Sequence, residues 1–265
     1  GKFAFFHSDN FDTEQTADEF FVTEKTTGTR YQIHFAGQEI PQAKTDDLVV
    51  VHGVQAGAHI AATANDAQVT SSSAVAAIST PQTLKKVAVI LINFQNSPTQ
   101  PYTPDFARGV MFTNTTGANA YYQEASFGKL GLTGYARSDG DIYGWYTIPY
   151  DSTTCSYSSW ATAAEAAAKA DGFVRTNYND IEYAFPKSAC TWWGLASIGG
   201  NPGQSWVNGS YATKVVGHEL GHNFGMHHAN TYRCTDSTGV TVYISSTCKS
   251  TEYADPFDIM NSGSN

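Results

Sequence analysis

The stretch His218-Glu219-Leu220-Gly221-His222-Asn223-Phe224-Gly225-Met226-His227-His228 constrains this chain more than any other feature. It holds the spacing H-E-x-x-H-x-x-G-x-x-H. The residues around it predict a helix that Ser210 caps and that runs to about Phe224. On such a helix His218 and His222 lie four apart, so both imidazoles leave one face and can reach one cation. Glu219 is turned about 100° from His218, within reach of a water beside that cation without being a ligand. Gly225 suits the left-handed conformation that ends a helix sharply, which returns His228 to the same point. Three neutral imidazoles with an open fourth position describe a catalytic zinc site rather than a closed structural one. The spacing from Gly225 selects His228 as third ligand; its neighbour His227 is the alternative. Four of the eight histidines fall in this short stretch, and none lies between His59 and His218.

Downstream, Asp255-Pro256-Phe257-Asp258-Ile259-Met260-Asn261 carries one of only three methionines. A thioether beneath such a site packs rather than ligates, because zinc there prefers imidazole and oxygen. The zinc spacing followed by this methionine resembles the metzincin signature, with Met260 at the Met-turn.

Composition narrows the partners. The chain has 265 residues, and 24 acids against 15 bases give a net charge of −9. That balance argues against nucleic acid, which calls for clustered Lys and Arg. The longest apolar run, Val87 to Ile92, is far short of a membrane span. Gly1-Lys2-Phe3-Ala4 does not open a charged and then apolar leader, so a signal peptide is expected to be already missing. The four cysteines, Cys155, Cys190, Cys234 and Cys248, form no CxxC. An even count in an acidic, Tyr-rich chain points to two disulfides and an oxidising compartment. Cys234 and Cys248 flank Gly239 in a hairpin-like loop and are expected to pair. Cys155 and Cys190 flank a helix between two strands and form the other expected pair, the alternative being four buried thiols.

Three regions are legible. Residues 1–63 read as a small β-barrel or sandwich of five short strands, at Phe3 to Phe6, Phe20 to Thr23, Tyr31 to Phe35, Leu48 to Val51 and His59 to Ala62. Turn residues including Ser8-Asp9-Asn10 separate them. Residues 64–82 are rich in Ser, Thr and Ala and read as an exposed linker open to proteolytic nicking. Residues 83–265 alternate strand and helix signals. Lys86 to Phe94 reads as a buried strand, Thr103-Pro104 as a helix start, and Ala118 to Ala125 and Ser159 to Ala170 as helices. Leu130 to Ala136, Ile142 to Ile148, Ile181 to Phe185 and Trp192 to Ile198 read as strands.

Residues 83–265 resemble the gametolysin family of metzincin endopeptidases in its bacterial secreted branch. The likeness rests on Asn119-Ala120-Tyr121-Tyr122-Gln123-Glu124-Ala125-Ser126-Phe127-Gly128, Trp193-Gly194-Leu195-Ala196, Ser205-Trp206-Val207-Asn208-Gly209-Ser210, the histidine motif and Asp255 to Met260. The resemblance implies an α+β metzincin catalytic domain: a twisted mixed sheet with helices, a zinc-motif helix and a Met-turn, preceded here by a small all-β domain. It implies a secreted zinc endopeptidase acting on extracellular proteins or glycoproteins, with His218, His222 and His228 as ligands and Glu219 as general base. Family members continue past the Met-turn into a C-terminal subdomain, which is expected to be missing here. Ser262 stands where some metzincins place a zinc-binding tyrosine, so no such tyrosine is expected.

The segment Trp192 to Ile198, with Trp193, Gly194, Leu195 and Ala196, reads as the edge strand to which an extended substrate adds; the alternative is a plain buried strand. Calcium is a weaker expectation at Asp139 and Asp141 or at Asn177, Asn179 and Asp180. Asn114-Thr115-Thr116 and Asn208-Gly209-Ser210 are glycosylation sequons. Two alternatives accompany the active peptidase. One is a non-catalytic binding or adhesion module on a protease fold, which the presence of Glu219 disfavours. The other is a latent zymogen, with residues 1–82 as an intramolecular prosegment rather than an accessory domain. No cysteine precedes Cys155 to act as a switch, but a carboxylate or backbone carbonyl could take the open zinc position.

Overall fold

The computed structural model describes residues 1–13, 15–37, 41–71, 83–245 and 248–262. Among the described residues seven strands precede residue 72: β1 (Lys2–Asn10), β2 (Gln15–Thr23), β3 (Arg30–Ala36), β4 (Leu48–Val51), β5 (Val54–Ala56), β6 (His59–Thr63) and β7 (Ala67–Ser71). Then follow β8 (Thr83–Phe94), α1 (Pro104–Arg108), α2 (Ala118–Ala125), β9 (Leu130–Thr133), β10 (Asp141–Ile148) and α3 (Tyr157–Ala168). The chain continues with β11 (Asp180–Phe185), β12 (Gly194–Ser197), β13 (Gly203–Asn208), α4 (Thr213–Asn223), β14 (Thr231–Arg233) and β15 (Lys249–Thr251). The protein is thus mixed α+β, with one large mixed sheet and few helices, an architecture compatible with a peptidase domain.

The strand β8 organises the sheet. Its alternate residues serve opposite faces, as a strand buried on both sides requires. Ala88, Ile90, Ile92 and Phe94 join Trp160, Ala161 and Ala164 of α3 in one core. Val87, Val89 and Leu91 join Ala118 and Tyr122 of α2 and Val216 and Leu220 of α4 in the other. The spatial order is β10-β8-β11-β13-β12-β1-β2-β3-β6-β5. The first four are parallel neighbours, whereas β12 runs antiparallel to β13.

At β12 the N-terminal strands join. β1 pairs antiparallel with β12 over Phe6↔Ser197 to Asp9↔Gly194, so the N-terminal strands share one continuous sheet with β8, β10, β11, β12 and β13. Phe3, Phe5, Phe20, Val22, Ile33 and Val49 pack a third core that includes Ile198.

Several local features differ from the sequence reading. Ser8-Asp9-Asn10, expected as a turn, continues β1, because nine residue pairs with β2 and the edge of β12 satisfy its backbone. Ala67–Ser71, within the expected linker, forms β7 against β4; residues 72–82 lie outside the described residues. Thr103 does cap α1, accepting from the Phe106 amide at 3.1 Å. Ser210 does not cap α4, whose N-cap is Ala212 with no side-chain bond.

Candidate metal centre

Helix α4 presents His218 and His222 on one face, both buried. It ends in a paired turn: the Gly225 amide donates to His222 O at 2.8 Å and the Met226 amide to Gly221 O at 3.0 Å. Gly225 sits at φ 92°, where a side chain would be strained. The turn brings His228 back, so that the rings of His218, His222 and His228 lie 4.9, 5.2 and 5.4 Å apart by pairs. His227 points elsewhere, its ring 5.9 Å from Phe5.

Each of the three imidazoles has its Nδ1 engaged. His218 Nδ1 lies 2.9 Å from Ile259 O, His222 Nδ1 2.8 Å from Met226 O, and His228 Nδ1 2.7 Å from Glu252 Oε1. Each Nδ1–H donates to its acceptor and leaves Nε2 with a free lone pair, the arrangement that tunes metal-binding histidines. All three Nε2 atoms are buried and complete no hydrogen bond among the described residues. Burial holds the His222 imidazole neutral, its pKa down to about 3 despite the nearby Asp9 carboxylate. Buried lone pairs without donors are costly unless a cation takes them, so this donor set fits a zinc ion.

Beneath the site Met260 is buried, and a Cβ on Gly221 would overlap its sulfur. Its neighbour Ile259 supplies the carbonyl that orients His218. Glu219 is fully buried and its carboxylate makes no hydrogen bond among the described residues. Burial, reinforced by the charges of Asp9 and Glu182, pushes its pKa well above the usual carboxylate range. β12 passes directly over it at Gly194.

Three participants were not anticipated from the sequence. The first is Asp9 of β1, fully buried among the imidazoles. Its carboxylate lies 3.6 Å from His218 Nε2, 3.3 Å from His222 Nε2 and 2.8 Å from His228 Nε2. The second is His7, two residues earlier on the same face, with Nε2 3.5 Å from Asp9 and Nδ1 against Asp18. Burial opposes its charge, but the two carboxylates prevail and raise its pKa to about 9. The third is Tyr253, whose hydroxyl donates to Asp9 and whose ring stacks on His228 at 3.7 Å. Period-two alternation was the available signal for the first two: His7 and Asp9 follow Phe3 and Phe5 on the buried face of β1. Tyr253 comes from a loop and carries no comparable signal.

The other expected residues fall into place as follows. Leu195 and Ala196 are buried in β12, between β13 and β1. The Trp193 amide donates to Asp9 O at 2.8 Å and its indole to Asp12 at 2.9 Å. Cys155 is bonded to Cys190, and Cys234 to Cys248. Asp141 accepts from the amides of Tyr135, Ala136 and Arg137 and from the Tyr178 hydroxyl, while Asp139 pairs with Arg137, so these carboxylates are committed to protein partners. Among the described residues, only groups built on Asp9 and the histidines gather three or more metal-ligating atoms. Asn208 is buried, its amide group donating to Cys190 O and Trp192 O.

The class of protein consistent with this helix-borne imidazole cluster is a metallopeptidase. The family model for gametolysin peptidase M11 matches residues 86–241, more than half the chain, and the chain belongs to that family. No curated protein matches it. No described helix is long and apolar enough to cross a membrane.

Proposed function

We propose that this protein is a secreted, zinc-dependent endopeptidase of the metzincin type, hydrolysing peptide bonds in extracellular proteins. The observation that carries this reading is the convergence of three buried Nε2 lone pairs whose Nδ1 atoms are all committed to acceptors. His218, His222 and His228 hold the zinc, and Met260 forms the Met-turn floor. Bound there, zinc supplies Lewis acidity that acidifies water and polarises the scissile carbonyl.

The chain's own residues do the rest. Glu219 accepts a proton from the attacking water on a carboxylate oxygen and passes it to the leaving amine nitrogen. Its full burial keeps bulk water from competing for that proton. An extended substrate pairs with β12 at Trp193 to Ala196 by strand addition. The two disulfides are compatible with the oxidising compartment of secreted proteins. Residues 83–265 form the catalytic domain in this reading.

Elemental analysis and casein hydrolysis test it, the latter before and after nicking with a serine protease that is then inhibited. About one zinc per chain is expected. Glu219→Gln should keep the zinc and lose roughly 10²–10⁴-fold in turnover. Less than about half an equivalent of zinc after zinc-replete refolding, or near wild-type turnover in Glu219→Gln, overturns the reading.

A further inference from the structure

We propose that Asp9 is a fourth protein ligand of the metal centre, delivered by β1, which lies along β12 in the substrate's place and holds the intact chain latent. This rests on the zinc reading above and assigns that site its regulation.

The position of the strand comes first. Phe6 to Asp9 occupy the edge of β12 that faces away from β13, in antiparallel register. Backbone bonds tie the two strands at both ends of the contact: Ile198 N to Phe5 O at 2.9 Å and Trp193 N to Asp9 O at 2.8 Å. A strand edge satisfied in this way cannot accept a second strand. An extended substrate and β1 therefore exclude one another.

The side chains make the exclusion specific. β1 turns Asp9 toward the three helix-motif imidazoles, within 2.8–3.6 Å of their Nε2 atoms. None of those nitrogens completes a hydrogen bond to it. A buried carboxylate facing three lone pairs is unfavourable by itself and favourable around a shared cation. Carboxylate oxygen is an ordinary zinc ligand, and three histidines plus one carboxylate complete a tetrahedron. With that place taken, water has no coordination site beside Glu219.

Surrounding contacts hold the carboxylate there. Tyr253 donates to Asp9, and His7 bridges Asp9 and Asp18, the latter on β2. Just beyond Asp9, the ring of Phe11 packs 4.9 Å from His218, with the Lys214 ammonium 5.1 Å over its face. Asn10 donates to Thr191 O at 2.8 Å. The strand is thus anchored on both sides of its metal-facing residue.

Cobalt substitution of the full chain tests this without relying on catalysis. Wild type and Asp9→Asn are titrated with acetohydroxamate, which needs a free coordination position, and the cobalt absorption spectrum is read. Both should bind cobalt, and Asp9→Asn should bind hydroxamate at least about tenfold more tightly, ~1.4 kcal/mol. Cobalt in both with equal hydroxamate affinity overturns the proposal alone. Cobalt in neither overturns the zinc reading and the proposal with it. If Asp9→Asn loses its fold by circular dichroism, wild type decides: refusal of millimolar hydroxamate supports the proposal, and ready binding at that concentration overturns it.

Discussion

Gly194 lies so close to the Glu219 carboxylate that a single added methyl group would overlap it. The contact joins the strand proposed to bind substrate to the group proposed to move the proton. Gly194→Ala must displace Glu219, and misplacing a reacting group by about 1 Å can cost on the order of 10²-fold in rate. The variant should retain its zinc and lose most of its turnover in casein hydrolysis after nicking. Unchanged turnover would mean that Glu219 is not held where this contact places it.

Metal affinity should depend on His228 and hardly on His227. His228→Ala should lose most of its zinc on dialysis, whereas His227→Ala should keep about one equivalent. Glu252, which orients His228 from 2.7 Å, gives an intermediate case. Glu252→Ala should weaken zinc by about 10- to 100-fold, measured by competition with a chelator. Retention by His228→Ala with loss by His227→Ala would exchange their roles.

Asp180 gives the protein a distinctive response to pH. Burial pushes its carboxyl up to about 7 from an ordinary 3.8, with Lys85 opposing. Between those values the native state keeps a proton that the unfolded chain has released. Stability from this group is therefore full below about 3.8, falls as pH rises, and levels off above about 7. Glu182, raised by burial to about 8, extends the fall. Asp180→Asn should flatten the slope between about pH 5 and 7 by up to ~1.4 kcal/mol per pH unit, read by urea denaturation. An unaltered slope would show that Asp180 ionises normally.

The Cys234–Cys248 bond closes a loop between His228 and Met260, with a sequence separation of 14. The chain-entropy account assigns such a loop about 3 kcal/mol. The Cys234→Ser/Cys248→Ser double variant should fall in stability by an amount of that order and bind zinc more weakly. A double variant with both properties unchanged would make the loop independent of the site.

How far the sequence reveals this molecule depends on how local each signal is. α2 is legible to the residue from its pattern, and β8 from its continuous apolar run, because each depends on neighbours along the chain. The spacing of His218, His222 and His228 is legible because a helix and one glycine turn fix it. Asp9 is not, since its role depends on a strand pairing between segments far apart in the chain. Ser8-Asp9-Asn10 has the composition of a turn, and only β2 and β12 keep it extended. β13 is not legible either, because its small and aromatic residues are buried on both faces and show no alternation. Ser210 has the chemistry of a cap but lies too early, because α4 starts at Thr213.

The pairing of β1 with β12 also orders events during synthesis. β1 precedes its partner edge in the chain by a wide margin, for that edge appears only at residue 194. Closing so long a segment is slow compared with forming local helices and hairpins. The β1–β2 hairpin must therefore wait with one edge unpaired while the central sheet is still being made. Until β12 arrives, that edge is open to pairing with neighbouring chains.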